Sequence, residues 1–263
     1  PVDPASLEKR VEMRMAGAAA GVLGIGAEKT GFVVSYDKLR LNAYLHSQPL
    51  PIPKDGTTLE IAIDRGVQAA RGGKPGDDPL KQSVAIPGLY SLTIGEVEPT
   101  VVSNEHNDPE QLLVLQTSAA VHEKEMHKAV SAWLLPLHHP DSKPDERTQP
   151  YAWSDVGEVT QAVLKAGERI ELDAVAAERE HTEVHSFKYK ADVGRYLLVQ
   201  TEKGVKSFGG YLLGQRDQRI VQVPPFPAEL RILSQGALLA LSGEKKVALL
   251  VRDLPGVKVD IGR

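Results

Sequence analysis

The chain has 263 residues, 41% of them apolar, a formal net charge of −4 and no cysteine. That length suits two domains of ordinary size, and charges of both signs mixed along it give no electrostatic reason to expect nucleic acid or an anionic membrane. The missing cysteines exclude disulfides, thiolate nucleophiles and zinc–cysteine sites without fixing the compartment.

In chain order, "PVDPASLEKRV" (Pro1–Val11) opens with a helix-start signal, Asp3 as N-cap and Pro4 at the first helical position. The small-residue run Met15–Ala27 is too short and too rich in Ala and Gly to span a bilayer. Short alternating runs follow: "GFVVSYD" (Gly31–Asp37), "TLEIAID" (Thr58–Asp64) and "SVAIP" (Ser83–Pro87). The later part of the chain repeats the pattern with "EQLLVLQT" (Glu110–Thr117), "AVSAWLLP" (Ala129–Pro136), "RIELDAVA" (Arg169–Ala176), "RYLLVQT" (Arg195–Thr201) and "RIVQVP" (Arg219–Pro224). Alternation of this kind predicts half-buried strands, and the closing prolines end their ladders.

The second set echoes the first. "IDRGVQAARGG" (Ile63–Gly73) returns 138 residues on as "TEKGVKSFGGY" (Thr201–Tyr211), so Gly66 and Gly72 fall on Gly204 and Gly210. Leu59–Ile63 lines up with Leu197–Thr201, and Ser83–Leu89 with Ile220–Phe226. Upstream, Val2, Leu7 and Val11 fall on Val121, Met126 and Val130, an offset of 119. The polar, proline-bearing stretch His138–Gln149 and its flanks account for the difference as a surface loop. A period above 100 residues denotes a tandem domain rather than a solenoid. The predicted fold is all-β, tandem immunoglobulin-like β-sandwiches without the Cys…Trp…Cys signature of antibody domains. The paired glycines mark the bend between the last two strands of each copy, where φ is positive. The expected division is 1–88, an immunoglobulin-like domain lacking its first strand or two; 89–224, a second one; and 225–263, the opening strands of a third domain.

"ELRILSQGALLALSGEKKVALLVRDLPGVKVDIGR" (Glu229–Arg263) resembles the opening of the first macroglobulin domain of bacterial alpha-2-macroglobulins. "GRYLLVQTEKGVKSFGGYLLG" (Gly194–Gly214) resembles the end of the immunoglobulin-like domain that precedes it there, and "PVDPASLEKRV" is wording typical of such modules. Two leading modules fit the branch of the family that carries two better than the branch with one. The resemblance implies a non-catalytic scaffold or docking arm at the front of a large periplasmic lipoprotein, tethered to the inner membrane. That protein would be an endopeptidase inhibitor that traps proteases by collapsing after bait cleavage. Implied partners are proteases and periplasmic or inner-membrane proteins of the cell-wall machinery, with no nucleic acid and no small-molecule substrate. Some members add a Cys-x-Glu-Gln thioester, which a chain without cysteine does not contain. The alternative is a tandem immunoglobulin-like adhesin or cell-wall-associated binding module.

No enzymatic activity, catalytic residue, cofactor site or metal site is assigned. "GVLGIGAEKTG" (Gly21–Gly31) has Glu28 where a phosphate loop needs glycine before its Lys, and "FVVSY" follows where a helix is required. His181 and His185, in "HTEVH", lack the zinc-protease pattern; as residues of one strand face they are expected to be exposed. "NEHNDPEQ" (Asn104–Gln111) lacks regular calcium-loop spacing and predicts a turn. The one candidate contact site is the loop closed by Tyr151 and Trp153. These aromatics either tuck back onto the sandwich or anchor a docking partner.

Overall fold

The computed structural model describes residues 1–16, 28–106, 108–233 and 248–260. Its contacts divide into two compact units, Pro1–Leu92 with Lys206–Gly214, and Thr93–Val205 with Gln215–Arg263. The architecture is all-β, built from antiparallel sheets and a few short helices. Among the described residues no helix is long and apolar enough to cross a membrane.

Unit 1 begins with helix α1 (Pro4–Glu8), capped as its sequence predicts: Asp3 accepts a 3.0 Å hydrogen bond from Ser6 N, and Pro4 stands at the first position. Strands β1 (Val11–Met15), β2 (Glu28–Lys29), β3 (Phe32–Tyr36), β4 (Ala43–Ser47), β5 (Thr57–Ile63) and β6 (Leu80–Ile86) follow. They form a four-stranded sheet, β2-β1-β5-β6, and a separate β3-β4 hairpin. Val11, Met13 and Leu59 of this sheet are buried, as is Leu7 of α1. The segment Lys206–Gly214 packs within the same unit, where Leu212 N donates to Leu89 O at 2.7 Å and Leu213 bridges to Leu92.

Unit 2 contains β7 (Ile94–Ser103), β8 (Pro109–His122), α2 (Glu123–Ala129), β9 (Val130–Leu134), α3 (Gln161–Ala166), β10 (Glu168–Ile170), β11 (Asp173–Val175), β12 (His181–Tyr189), β13 (Tyr196–Thr201) and β14 (Asp217–Gln222). The hairpin β15 (Glu229–Ile232)–β16 (Leu249–Arg252) completes the described chain. Its two main sheets run β11-β12-β8-β7 and β10-β9-β13-β14. Lettered in chain order, with an extra strand C′ after C, these are D-E-B-A and C′-C-F-G, the immunoglobulin arrangement. The side chains between the sheets come from alternate positions: Leu113, Leu115 and Val121 of β8, Phe187 of β12, Ala132 of β9, and Leu197 and Val199 of β13, all 2% exposed or less. Such period-two burial is what the alternating sequence dictates.

The duplication read in the sequence is kept residue for residue in the ladders. In unit 1 Val11 pairs with Ile63 and Met13 with Ile61. In unit 2 Val130 pairs with Thr201 and Ala132 with Val199. Leu59 faces Val84 as Leu197 faces Val221. The glycines agree as well, with φ of 97° at Gly66 and 92° at Gly204, and 77° at Gly72 and 91° at Gly210. Only glycine takes these values without Cβ strain.

Candidate functional site

Residues 135–167 join β9 to β10, whereas residues 16–27 make the same connection in unit 1. The longer connection folds over the outer face of β10-β9-β13-β14. Leu135, Trp153 and Val163 of this cover meet Leu198 of β13 in a buried cluster, flanked by Trp133, Tyr151, Val159 and Ile220. Helix α3 places Val163 by a Thr160 cap, whose hydroxyl accepts from Val163 N at 3.4 Å. The sheet is therefore covered on both sides, and β13 is buried at both odd and even positions from Leu197 to Thr201.

Trp153 is 3% exposed, and its indole N–H donates to Pro136 O at 2.9 Å. Of the two aromatic outcomes, the structure places this ring in the cover's core. Tyr151 is half-buried against it, 4.8 Å between ring centroids, and donates its hydroxyl proton to Glu158 Oε2 at 3.0 Å. That hydrogen bond is the main cause of a pKa above the ordinary phenol value, with partial burial and the Glu158 charge adding to it. His139 lies 5.3 Å from both rings. The outer loop is internally tied. Tyr151 N donates to Leu137 O at 2.8 Å, and Arg147 donates to Ser142 O at 3.1 Å and Pro140 O at 3.2 Å. The surface offered outward is polar, with Asp141, Lys143 and Asp145 exposed at the tip. A partner would meet these groups and the edge of Tyr151 rather than the Trp153 ring.

The remaining sequence candidates are placed as follows. Gly21–Ala27 of the glycine-rich stretch lie outside the described residues, as does Asn107. Lys29 of that stretch sits in β2 and binds Glu12 Oε1 at 2.9 Å, with strand β3 next in the chain. Asn104 Oδ1 accepts from His106 N at 2.9 Å and Asp108 N at 2.8 Å, an Asx-type turn joining β7 to β8. The expected exposure of "HTEVH" is corrected. A bulge between Thr182 and Val184 shifts the phase of β12, so His185 turns inward and is 4% exposed. His181 pairs with His122 instead, their rings 5.0 Å apart and edge-on. His185 Nε2 has no hydrogen-bond partner among the described residues. Burial pushes its pKa down, while a Thr182 backbone hydrogen bond and the Glu123 charge oppose that shift. Among the described residues no group of three or more His, Asp and Glu side chains is arranged to hold a metal ion.

The sequence reading missed an open groove of about 850 Å³ in unit 2, lined by Gln111, Arg169, Asp173, Lys188, Tyr189 and Phe226 among others. Its walls mix both charges. Tyr189 is among its lining residues, its phenol buried and without a hydrogen-bond partner among the described residues, and burial drives that pKa up to about 12.

No family model matches the chain, and no solved structure matches it. Curated relatives do. All 263 residues align at 34% identity with an alpha-2-macroglobulin homologue of Yersinia pestis, and the whole chain aligns at 28% with an alpha-2-macroglobulin of Rickettsia conorii. A third, the alpha-2-macroglobulin of Pasteurella multocida, matches 88% of the chain at 27% identity. The chain belongs with the bacterial alpha-2-macroglobulins. It spans 13%, 14% and 12% of the lengths of these relatives, respectively. Within this alpha-2-macroglobulin segment, the sandwich of unit 2 and its Trp153 cover hold most of the buried apolar side chains described.

Proposed function

We propose that this segment is a non-catalytic scaffold and docking arm in the N-terminal region of a periplasmic, inner-membrane-tethered alpha-2-macroglobulin that traps proteases. The observation that carries the reading is the alignment of the whole chain with alpha-2-macroglobulins much longer than itself. The folded units support it. They are antiparallel β-sheet units whose polar side chains are used in caps, turns and ion pairs such as Lys188–Glu110 at 2.7 Å and Lys29–Glu12 at 2.9 Å. Sandwich modules of this kind space and orient larger assemblies, and their surfaces and loops bind other proteins. On this reading the bait and any thioester lie elsewhere in the polypeptide. The partners that touch the segment are proteins of the cell-wall machinery, and proteases meet the rest of the molecule.

The test uses the longer polypeptide with and without residues 1–263. Each form is exposed to a broad-specificity protease, and cleavage of a large and a small substrate is compared. Both forms should shield the protease from the large substrate only and should gain native-gel mobility on cleavage. The form lacking the segment should lose its co-purifying membrane partners. Loss of shielding on removal of residues 1–263 would make the segment part of the trap itself and overturn the scaffold reading.

A further inference from the structure

The two units match strand for strand with one difference. Strands β1 to β6 correspond in order and register to β9 to β14, and α1 corresponds to α2. Among the described residues, unit 1 has no counterpart of β7 and β8, the A and B strands that pair beside β12 in unit 2. The counterpart of β12 is β4, which among the described residues pairs with β3 alone. Its other edge therefore presents backbone N–H and C=O groups without a ladder. The side chains on the inner face are correspondingly less buried. Ile61 and Ile63 are half-buried, whereas Val199 and Thr201, at the same positions of unit 2, are each 2% exposed. Val34 and Leu45, paired across the hairpin, are likewise only half-buried.

The path of the chain indicates what fills the gap. In unit 2, β8 runs directly into α2, and the link is held to the turn before β12 by Glu123 N donating to Glu180 O at 3.0 Å. In unit 1, the residues entering α1 are held to the turn before β4 in the same way, with Val2 N donating to Arg40 O at 3.0 Å. A strand running into Val2 from upstream would lie antiparallel beside β4, as β8 lies beside β12. We infer that the open edge of β4 is occupied by a pair of strands from the polypeptide that precedes Pro1 in the longer protein, closing unit 1 as a second immunoglobulin-type sandwich. Relatives of which the chain makes up 13% or 14% have the length to supply it. In immunoglobulin order the two absent strands are those that come before C, so the occupant is contiguous in sequence with α1. The inference rests on the fold and is independent of the proposed function.

The test is amide hydrogen exchange, read by mass spectrometry on peptides covering Leu41–Gln48. It compares the longer polypeptide with the chain of residues 1–263 over a range of concentrations. The amides of β4 that do not bond to β3 should exchange at least tenfold more slowly in the longer polypeptide, at every concentration. Equal exchange in the two forms would overturn the inference. So would protection in the shorter chain that rises with concentration, because a second copy would then be the occupant.

Discussion

Replacing Trp153 tests whether the 135–167 connection is a packed layer or a loose docking loop. The indole is 3% exposed, meets Leu135, Val163 and Leu198, and donates to Pro136 O. Truncating such a ring to alanine in a packed core costs about 3–5 kcal/mol, from lost transfer free energy and the cavity left behind. Trp153→Phe keeps most of the ring but leaves the Pro136 carbonyl without its donor, a net loss of about 0.5–1.5 kcal/mol for the hydrogen bond alone. Urea unfolding followed by far-ultraviolet circular dichroism would read both, and Trp133 fluorescence would report the same transition from the sheet beneath. The order should be alanine well below phenylalanine, and phenylalanine below wild type. Tyr151→Phe should leave the midpoint nearly unchanged, because its hydroxyl bonds at the surface. A Trp153→Ala loss under about 1 kcal/mol, the range of ordinary surface changes, would refute the packed-cover account and return Trp153 to the role of an exposed anchor.

Three further outcomes follow from the same structure. His185 is buried with its pKa lowered, so below about 6.5 the unfolded chain binds a proton that the folded chain does not. Stability should fall as pH drops through that value and level off below the folded pKa; His185→Phe should flatten this dependence in thermal melts, and an unchanged profile would remove His185 as its cause. Tyr189 is raised to about 12, so the folded state loses stability as pH climbs from about 10 towards 12. Tyr189→Phe should abolish that loss while leaving neutral-pH stability unchanged or slightly higher, since the hydroxyl has no partner among the described residues; spectrophotometric titration of the phenol checks it. Gly204→Ala should cost about 1–2 kcal/mol from backbone strain, because nothing lies near the new Cβ. Gly66→Ala should cost more, because its Cβ would stand 2.9 Å from Arg10 Nε and disturb the bond from that group to Arg65 O. The reverse order in calorimetry would contradict the geometry.

The duplication was legible because it is written in local signals. Alternating runs, a proline after the last strand and glycines at turns survive divergence, and each maps to a register or a positive φ in both copies. The start of α1 was legible for the same reason, since a cap and its proline are neighbours in sequence. What could not be read depends on distant partners or on a one-residue slip. The bulge at Thr182–Val184 inverts the phase of β12 and moves His185 indoors, and nothing in "HTEVH" marks it. The burial of Trp153 rests on Val163 and Leu198, which the chain brings together from separate elements. One signal did exist: "YLLV" (Tyr196–Val199) is continuously apolar, which denotes a strand covered on both faces rather than one. The grouping of Lys206–Gly214 with unit 1 left no local trace at all.

The cover on the second sheet also bears on how the chain avoids misassembly during synthesis. Two copies with the same strand register invite a strand of one to be taken up by the other, a failure common among tandem homologous domains. On the inner face, β5 and β13 are interchangeable in kind, with Leu59, Ile61 and Ile63 matching Leu197, Val199 and Thr201. They differ on the outer face, where exposed Glu60 stands at the position of Leu198. If β5 entered the second sheet, it would carry the Glu60 carboxylate under Trp153 and Val163, and burying an unpaired charge is strongly unfavourable. If β13 entered the first, Leu198 would lose its cover to water. The 135–167 layer thus gives each nascent strand an address, a leucine for the covered sheet and a glutamate for the open one.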